Sequence, residues 1–540
     1  MGIPSYFAHI VRRHRKIIKS IQINDSPKIN NLYLDCNSFI YEAHAELSQQ
    51  DALLKIKSEK DIRQYEANLI QHVCDSLDKC IRRLQPDKRV FIAFDGVAPL
   101  AKLNQQRNRR YMSAFQSSLA EESATYKWNT SAITPGTNFM SDLCAAIHKK
   151  FAQPSVLGLE NIIISASDHY GEGEHKIYEY IRANAAYHKD TVTVIYGLDA
   201  DLIMLTLNHL HISENMYLFR ETPEFIRSLD KTLNPHEMYL LDIPLFARMI
   251  IRELSDQDET AEISLQNDVL FDYIFMCFFL GNDFLPHFPA LNIRTSGINR
   301  LMDAYKAVFT TKQETLTHQR EIIWKNVRKW VQYLALNELS YIQEEYVLRE
   351  KLSKRTLQEE QYKTHRGDAF DDQLLLPVKE RPVEIYINPS EAGWETRYYR
   401  GLFHARVNDT SKKEICINYL EGLEWNLNYY SMGCADWRWT YNYYYPPLLA
   451  DLIKYVPYFA HTFIPVKPPA PVSSLVQLSY VLPPSSMDLL PAALRTKLLR
   501  EEPEWYVGNY VFLWSFCKFF WEAHVDLPTI DITRLEELVL

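Results

Sequence analysis

Four short apolar runs, each followed by acidic residues, constrain this chain more than any other feature. Asn31–Leu34 (NLYL), Arg89–Phe94 (RVFIAF), Asn161–Ser165 (NIIIS) and Thr191–Tyr196 (TVTVIY) are rich in β-branched and aromatic residues. Short runs of this kind, without polar alternation, read as strands buried on both faces of a parallel sheet. Longer amphipathic patterns separate them, clearest from Asp61 to Leu84, where Ile70, Val73, Leu77 and Ile81 recur at helical spacing. The alternation predicts an α/β fold, a mixed and largely parallel central sheet flanked by helices.

Carboxylates lie after every one of these runs. Asp35 and Asp95 follow the first two, Glu172 and Glu174 sit in a Gly-Glu-Gly-Glu segment after the third, and Asp199 and Asp201 follow the fourth. A seventh acid, Asp283, follows the apolar stretch Tyr273–Leu280. Parallel strands present their carboxyl ends along one edge, where open α/β sheets bind ligands, so acids distant in sequence are predicted to converge there. Converging carboxylates repel one another and need cations. Hard oxygen donors favour Mg²⁺, and two ions about 4 Å apart suit phosphodiester hydrolysis. Any one of these acids alone is more readily read as a helix N-cap or a turn former; it is their recurrence after four runs that points to a shared site.

Composition narrows the class. The chain is 540 residues long, enough for more than one compact unit. Its 47% hydrophobic and 24% charged residues are those of a globular protein. No apolar run approaches the roughly 20 residues of a membrane span, and the basic N-terminus lacks a signal-peptide core. Gly2 lacks the Ser or Thr at position 6 that myristoylation wants, since Tyr6 stands there. We therefore expect an intracellular protein, cytoplasmic, with the nucleus as the alternative. Eight scattered cysteines without a C-x-x-C pair argue against zinc and against a disulfide framework. A net charge of −9 opposes nucleic-acid binding overall. Residues 1–24 and 96–120 are nevertheless locally basic and free of acids, the second carrying Lys102, Arg107, Arg109 and Arg110.

The chain divides by composition. Residues 1–350 read as the α/β core, and the charged stretch 351–385 as a linker. Residues 386–500 form an aromatic-rich second region broken by prolines, and 501–540 a C-terminal tail.

Several blocks together resemble the Xrn family of 5′-3′ exoribonucleases. They are Leu34-Asp35-Cys36-Asn37, Phe94-Asp95-Gly96-Val97-Ala98-Pro99, Gly171-Glu172-Gly173-Glu174-His175-Lys176, Gly197-Leu198-Asp199-Ala200-Asp201-Leu202 and Gly281-Asn282-Asp283-Phe284-Leu285-Pro286. Further blocks occur in the aromatic half, at Tyr419–Trp425, Leu427–Tyr430, Trp437-Arg438-Trp439 and Val481–Pro484. Their order is similar to that family's, in a compact form that ends soon after the second region, of the kind a large DNA virus would encode.

The resemblance implies a PIN- or flap-nuclease-like core. It also implies that Asp35, Asp95, Glu172, Glu174, Asp199, Asp201 and Asp283 are catalytic and hold two Mg²⁺ ions, with Mn²⁺ able to substitute. Lys102, Gln106, Arg109 and Arg110 match the pocket for a 5′-monophosphate; on a helix, Lys102, Gln106 and Arg109 or Arg110 share one face. Tyr41 stands where many relatives carry His and, with Trp437 or Trp439, is expected to stack on the terminal base; core packing is the alternative for either Trp. The implied substrate is single-stranded RNA with a 5′-monophosphate, degraded processively, with no membrane partner. Two alternatives stay open, a flap-type DNA 5′ nuclease and a non-catalytic RNA-binding scaffold.

Overall fold

The computed structural model describes residues 2–20, 28–50, 59–119, 128–197, 199–220, 238–257, 262–309, 314–366, 374–403 and 408–540. Seven strands form the central sheet: β1 (Ile18–Ser20), β2 (Asn31–Asp35), β3 (Arg89–Ala93), β4 (Asn161–Ser165), β5 (Thr193–Tyr196), β6 (Met216–Arg220) and β7 (Tyr239–Leu241). Their order is β1-β7-β6-β5-β2-β3-β4. The five strands from β6 to β4 run parallel, while β7 and β1 are added antiparallel at one edge. The sheet is thus mixed and largely parallel, as predicted. β1 and β7, three residues each, are too short to leave a periodic signal.

Alternate residues of β2, β3 and β5 face two separate cores. Tyr33, Phe91 and Ile195 belong to one, and Leu32, Leu34, Val90, Ile92, Val194 and Tyr196 to the other. Both faces are covered, which is why these strands read as unbroken apolar runs. The chain adds β3 and β4 on one side of β2, then crosses to place β5 and β6 on the other. That reversal opens a crevice at the carboxyl ends of β2 and β5, the place where such sheets hold ligands.

The expected linker is corrected by the structure. Residues 351–366 continue one 43-residue helix, Trp324–Arg366, and two short helices, Leu376–Lys379 and Pro382–Ile387, follow; residues 367–373 of the stretch lie outside the described residues. The run Glu350–Arg366 holds neither Gly nor Pro and is dominated by strong helix formers. Lys354 pairs with Glu350 at 3.1 Å and Arg355 with Glu359 at 2.8 Å, each one turn apart. High charge here marks a helix exposed on one face rather than a chain without structure.

The expected tail is corrected too. Trp505, Phe516, Phe520, Val525 and Leu535 are buried. Arg107 of the Leu100–Leu119 helix donates to Pro528 O at 2.6 Å and to Trp505 O at 3.0 Å. Asn108 donates to Ala523 O at 3.2 Å and accepts from Val525 N at 2.5 Å. Residues 501–540 therefore brace the helix that carries Lys102, Arg109 and Arg110.

One buried carboxylate outside the crevice shows how the helical half is held. Asp272, fully buried, accepts from Leu316 N (2.8 Å), Thr317 N (2.6 Å), Thr317 Oγ1 (2.7 Å) and Tyr305 Oη (2.7 Å). Asp272→Ala would strand these donors away from water, each at about 1–3 kcal/mol, so a loss of at least about 3 kcal/mol is expected. Urea unfolding at unchanged m-value measures it, and a loss below about 1 kcal/mol would refute this account.

Candidate active site

The parallel register sets the acids side by side. Asp35 ends β2 opposite Ala93 of β3, and Leu34 lies opposite Tyr196 of β5. Asp95, Asp199 and Asp201 leave the same edge, and Glu172 and Glu174 start the Gly173–Ala183 helix there. Asp95 Oδ1 accepts from Gly173 N at 2.7 Å, tying the third acidic segment to the end of β3. A methyl group at residue 173 would come within 2.6 Å of Asp35 Oδ1, so only glycine lets these acids close up. Gly2 (φ 54°) lies closer still to Asp201, where an added Cβ would be 2.0 Å from Oδ1.

Asp283 joins from the loop after the Phe278–Leu280 turn and is bridged to the others by Lys102. Lys102 Nζ lies 2.8 Å from Asp283 Oδ2 and 2.5 Å from Glu172 Oε2. This lysine, expected in a phosphate pocket, reaches two of the acids.

The electrostatics reflect crowding without water. Burial and the charges of Asp95, Asp199 and Glu172 raise Asp35 well above the carboxylate range. Burial, Asp201 and Glu172 do the same to Glu174. Burial and the Asp283 charge push Asp201 up to about 7. Burial alone would also raise Asp283, but the Lys102 ammonium beside it holds it below the usual carboxylate value. Glu174 Oε2 and Asp201 Oδ1 are buried and have no hydrogen-bond partner among the described residues. An all-oxygen set with partnerless buried oxygens fits hard divalent cations.

Supporting residues that sequence reasoning did not single out surround the acids. Asn37 donates to Asp95 Oδ2 at 2.6 Å and accepts from Asp95 N at 3.1 Å. Tyr429 donates to Glu172 Oε1 at 2.7 Å, and Tyr430 hydrogen-bonds Asp201. Both tyrosines come from the Asp409–Ser431 helix of the second region. These residues lie inside the recurring blocks, but nothing in one sequence says which aromatic reaches which acid.

The remaining expected site residues separate into two groups. Arg109 is exposed, and its charge is felt by Asp283. Arg110 donates to Ser131 O (3.4 Å) and Ile133 O (3.3 Å) and lies near Tyr41. Burial brings its guanidinium down to about 10. Gln106 has a buried Oε1 without a hydrogen-bond partner among the described residues, and Tyr41 is 47% exposed. Trp439, by contrast, belongs to the core: it stacks on Trp425 at 5.1 Å, which stacks on Tyr429 at 4.7 Å, which stacks on His175 at 3.7 Å. Trp437 is also buried; it meets Tyr170 edge-on at 5.2 Å, and its carbonyl receives Leu100 N at the start of the helix of Lys102. Tyr41 has no ring contact with either tryptophan among the described residues.

A group that the cysteine spacing did not anticipate lies nearby. Cys144, His148 and Asp168 bring donor atoms within 4.8 Å of one another. Cys144 and His148 are one helical turn apart and Asp168 crosses from the loop after β4, a juxtaposition invisible to C-x-x-C counting. All eight cysteines are free, and five are buried. Among the described residues, no helix is long and apolar enough to cross a membrane.

Fold and crevice define an α/β protein with an acidic switch-point edge, consistent with a PIN-like core, joined to a helical second region that reaches into its site. Residues 1–222 match the family described as XRN 5'-3' exonuclease N-terminus, and residues 265–384 and 387–539 match the Xrn1 helical domain. The chain belongs to the Xrn family. It is 26% identical to 5'-3' exoribonuclease 1 of Schizosaccharomyces pombe, covering 99% of this chain and 48% of that protein. It is 26% identical to 5'-3' exoribonuclease 1 of Saccharomyces cerevisiae (99% and 43%) and 28% identical to that of Homo sapiens (99% and 34%). The chain thus spans about half the length of the first two relatives or less.

Proposed function

We propose that this chain is a metal-dependent 5′→3′ exoribonuclease that releases nucleoside 5′-monophosphates processively from RNA bearing a 5′-monophosphate. The observation that carries the reading is the convergence of seven buried or crevice-lining carboxylates on one sheet edge, beside a helix that offers Lys102, Arg109 and Arg110. The relatives' names point the same way.

Asp35, Asp95, Glu172, Glu174, Asp199, Asp201 and Asp283 are the residues that would hold Mg²⁺, with Mn²⁺ as a substitute. Such ions, when bound, supply Lewis-acid polarisation of the phosphate and a nucleophilic water. The chain's own residues do the rest. Asn37, Tyr429 and Tyr430 orient the carboxylates, and burial keeps water from screening them. Arg109 and Arg110 offer forked donors to a terminal phosphate next to Asp283, so the bond presented for cleavage is the first from the 5′ end. Tyr41, exposed beside Arg110, offers a ring on which the terminal base stacks.

One RNA carrying a 5′-phosphate, hydroxyl, triphosphate or cap, incubated with Mg²⁺ and then with EDTA, tests the reading. Only the 5′-phosphate RNA should be degraded rapidly, to mononucleotides, and EDTA should stop it. Arg110→Ala should erase the preference over 5′-hydroxyl RNA, a loss of about 10- to 100-fold for one charge-assisted contact. Preferred cutting of flapped DNA would identify a DNA 5′ nuclease instead. RNA bound but never degraded would identify a scaffold.

A further inference from the structure

The opposite edge of the sheet carries a second polar cleft. Arg182 and Lys189 border the connection from the Gly173–Ala183 helix into β5, and His211 and Ile212 the connection into β6. With Ala186 and Arg320 they line an open cleft of about 510 Å³. Arg182 lies eight residues beyond Glu174 on the same helix, about 12 Å along its axis, so the cleft is separate from the acids.

Three cations line this cleft, and among the described residues no carboxylate does. Glu179, one turn before Arg182, is exposed; its charge is felt by Arg182, although no ion pair joins the two among the described residues. Histidines hold the arginines instead. Arg182 Nη1 donates to His209 Nε2 at 2.9 Å, and His209 Nδ1 donates to Leu205 O at 2.7 Å. Arg320 Nη1 approaches His211 Nε2 at 3.5 Å, and His211 Nδ1 donates to Asn208 O at 2.8 Å. A ring whose Nδ1–H serves a carbonyl offers a lone pair at Nε2 only while neutral. Burial, with the arginines themselves, keeps both rings below the usual imidazole value. Neutral acceptors orient the guanidiniums without cancelling their charge, which a carboxylate in the same place would do.

The backbone is committed to the arrangement as well. Arg320 is presented by the two-residue turn Gln319–Arg320, with φ of 49° and 71°, between the paired segments Thr317–His318 and Glu321–Ile322. Side chains seldom tolerate this conformation twice in succession, and Gly or Asn normally fills such turns.

We infer that this cleft binds a phosphate-bearing ligand of mononucleotide size, with the phosphate between Arg182 and Arg320. Guanidinium forks match phosphate oxygens, and the volume lies within the range of small-ligand sites. Lys189 adds a point charge, and Ile212 with Ala186 gives an apolar wall for a sugar or base. A free nucleotide and one nucleotide within an RNA strand share this chemistry. The inference does not rest on hydrolysis at the acidic edge.

Calorimetric titration in EDTA with adenosine 5′-monophosphate, and separately with a short 5′-hydroxyl RNA, tests it. Arg182→Gln combined with Arg320→Gln should weaken binding at this cleft by at least about tenfold. Ala186→Glu, which sets a negative charge in the lining at an exposed position, should do the same, whereas Arg109→Ala should leave this binding event in place. Binding of the mononucleotide alone assigns a free nucleotide, and tighter binding of the RNA assigns a strand segment. Equal binding by the parent, the double variant and Ala186→Glu would overturn the inference, as would failure of the parent to bind either probe.

Discussion

Asp201→Asn is expected to abolish hydrolysis while making the metal-free protein more resistant to heat. Asp201 lies among Glu174, Asp283 and Tyr430, buried, with one oxygen that has no hydrogen-bond partner among the described residues. Its folded-state value of about 7 exceeds the unfolded 3.8, so ionised Asp201 opposes folding. The sign follows from proton linkage: the cost is absent below about pH 4, grows between about 4 and 7, and is complete above 7. At pH 8 in EDTA, removing the charge should return up to about 4 kcal/mol. Mg²⁺ should reverse the ranking, because ligand binding stabilises the parent by mass action and the variant has lost a ligand. Loss of several kcal/mol of transition-state stabilisation corresponds to a rate reduction on the order of 10³-fold. Thermal melts with and without Mg²⁺, beside an RNA degradation assay, measure both effects. A variant that melts earlier in EDTA, or that degrades RNA at the parent's rate, would show that Asp201 is a structural acid.

Deleting residues 501–540 is expected to prevent folding altogether. The segment buries Trp505, Phe516, Phe520, Val525 and Leu535, each worth about 1.5–3 kcal/mol, against a usual net stability of about 5–15 kcal/mol. Its removal would also strip Arg107 of both carbonyl partners, Arg349 of Cys517 O, and Glu384 of Phe516 N. The truncated chain should therefore be insoluble or lack a cooperative melt. Arg107→Ala gives a finer measure, since it leaves two carbonyls in the interior without a donor, and about 2–4 kcal/mol should be lost. A truncated chain that melts cooperatively at the parent's temperature would mean that the segment only rests on the surface.

Much of the site was legible because its signals are local. A strand buried on both faces must be an apolar run, and each acid here follows such a run or a comparable stretch. The positions of β2 to β5 and of Asp35, Asp95, Glu172, Glu174, Asp199, Asp201 and Asp283 could therefore be read directly. Charge and aromatic content were less reliable guides. The charged stretch from Glu350 to Arg366 reads as a linker by composition, yet its residues are helix formers whose charges pair one turn apart. Trp437 and Trp439 read alike, yet Trp439 stacks within the core and Trp437 meets Tyr170 and receives Leu100 N.

The sequence by itself determined where β2 to β5 lie and which acids follow them, because backbone propensity and burial periodicity act over a few residues. Tertiary structure decided which of these groups meet. Lys102, Arg107, Arg109 and Arg110 are cations on one helix and look interchangeable in a row of letters. Packing sends the first to Glu172 and Asp283, the second to the carbonyls of Trp505 and Pro528, the third to the surface near Asp283 and the fourth to the carbonyls of Ser131 and Ile133. Those partners lie up to 421 residues away along the chain. Each assignment is set by which neighbour excludes water and offers an oxygen at hydrogen-bond distance, a property of the folded interior that no local pattern encodes.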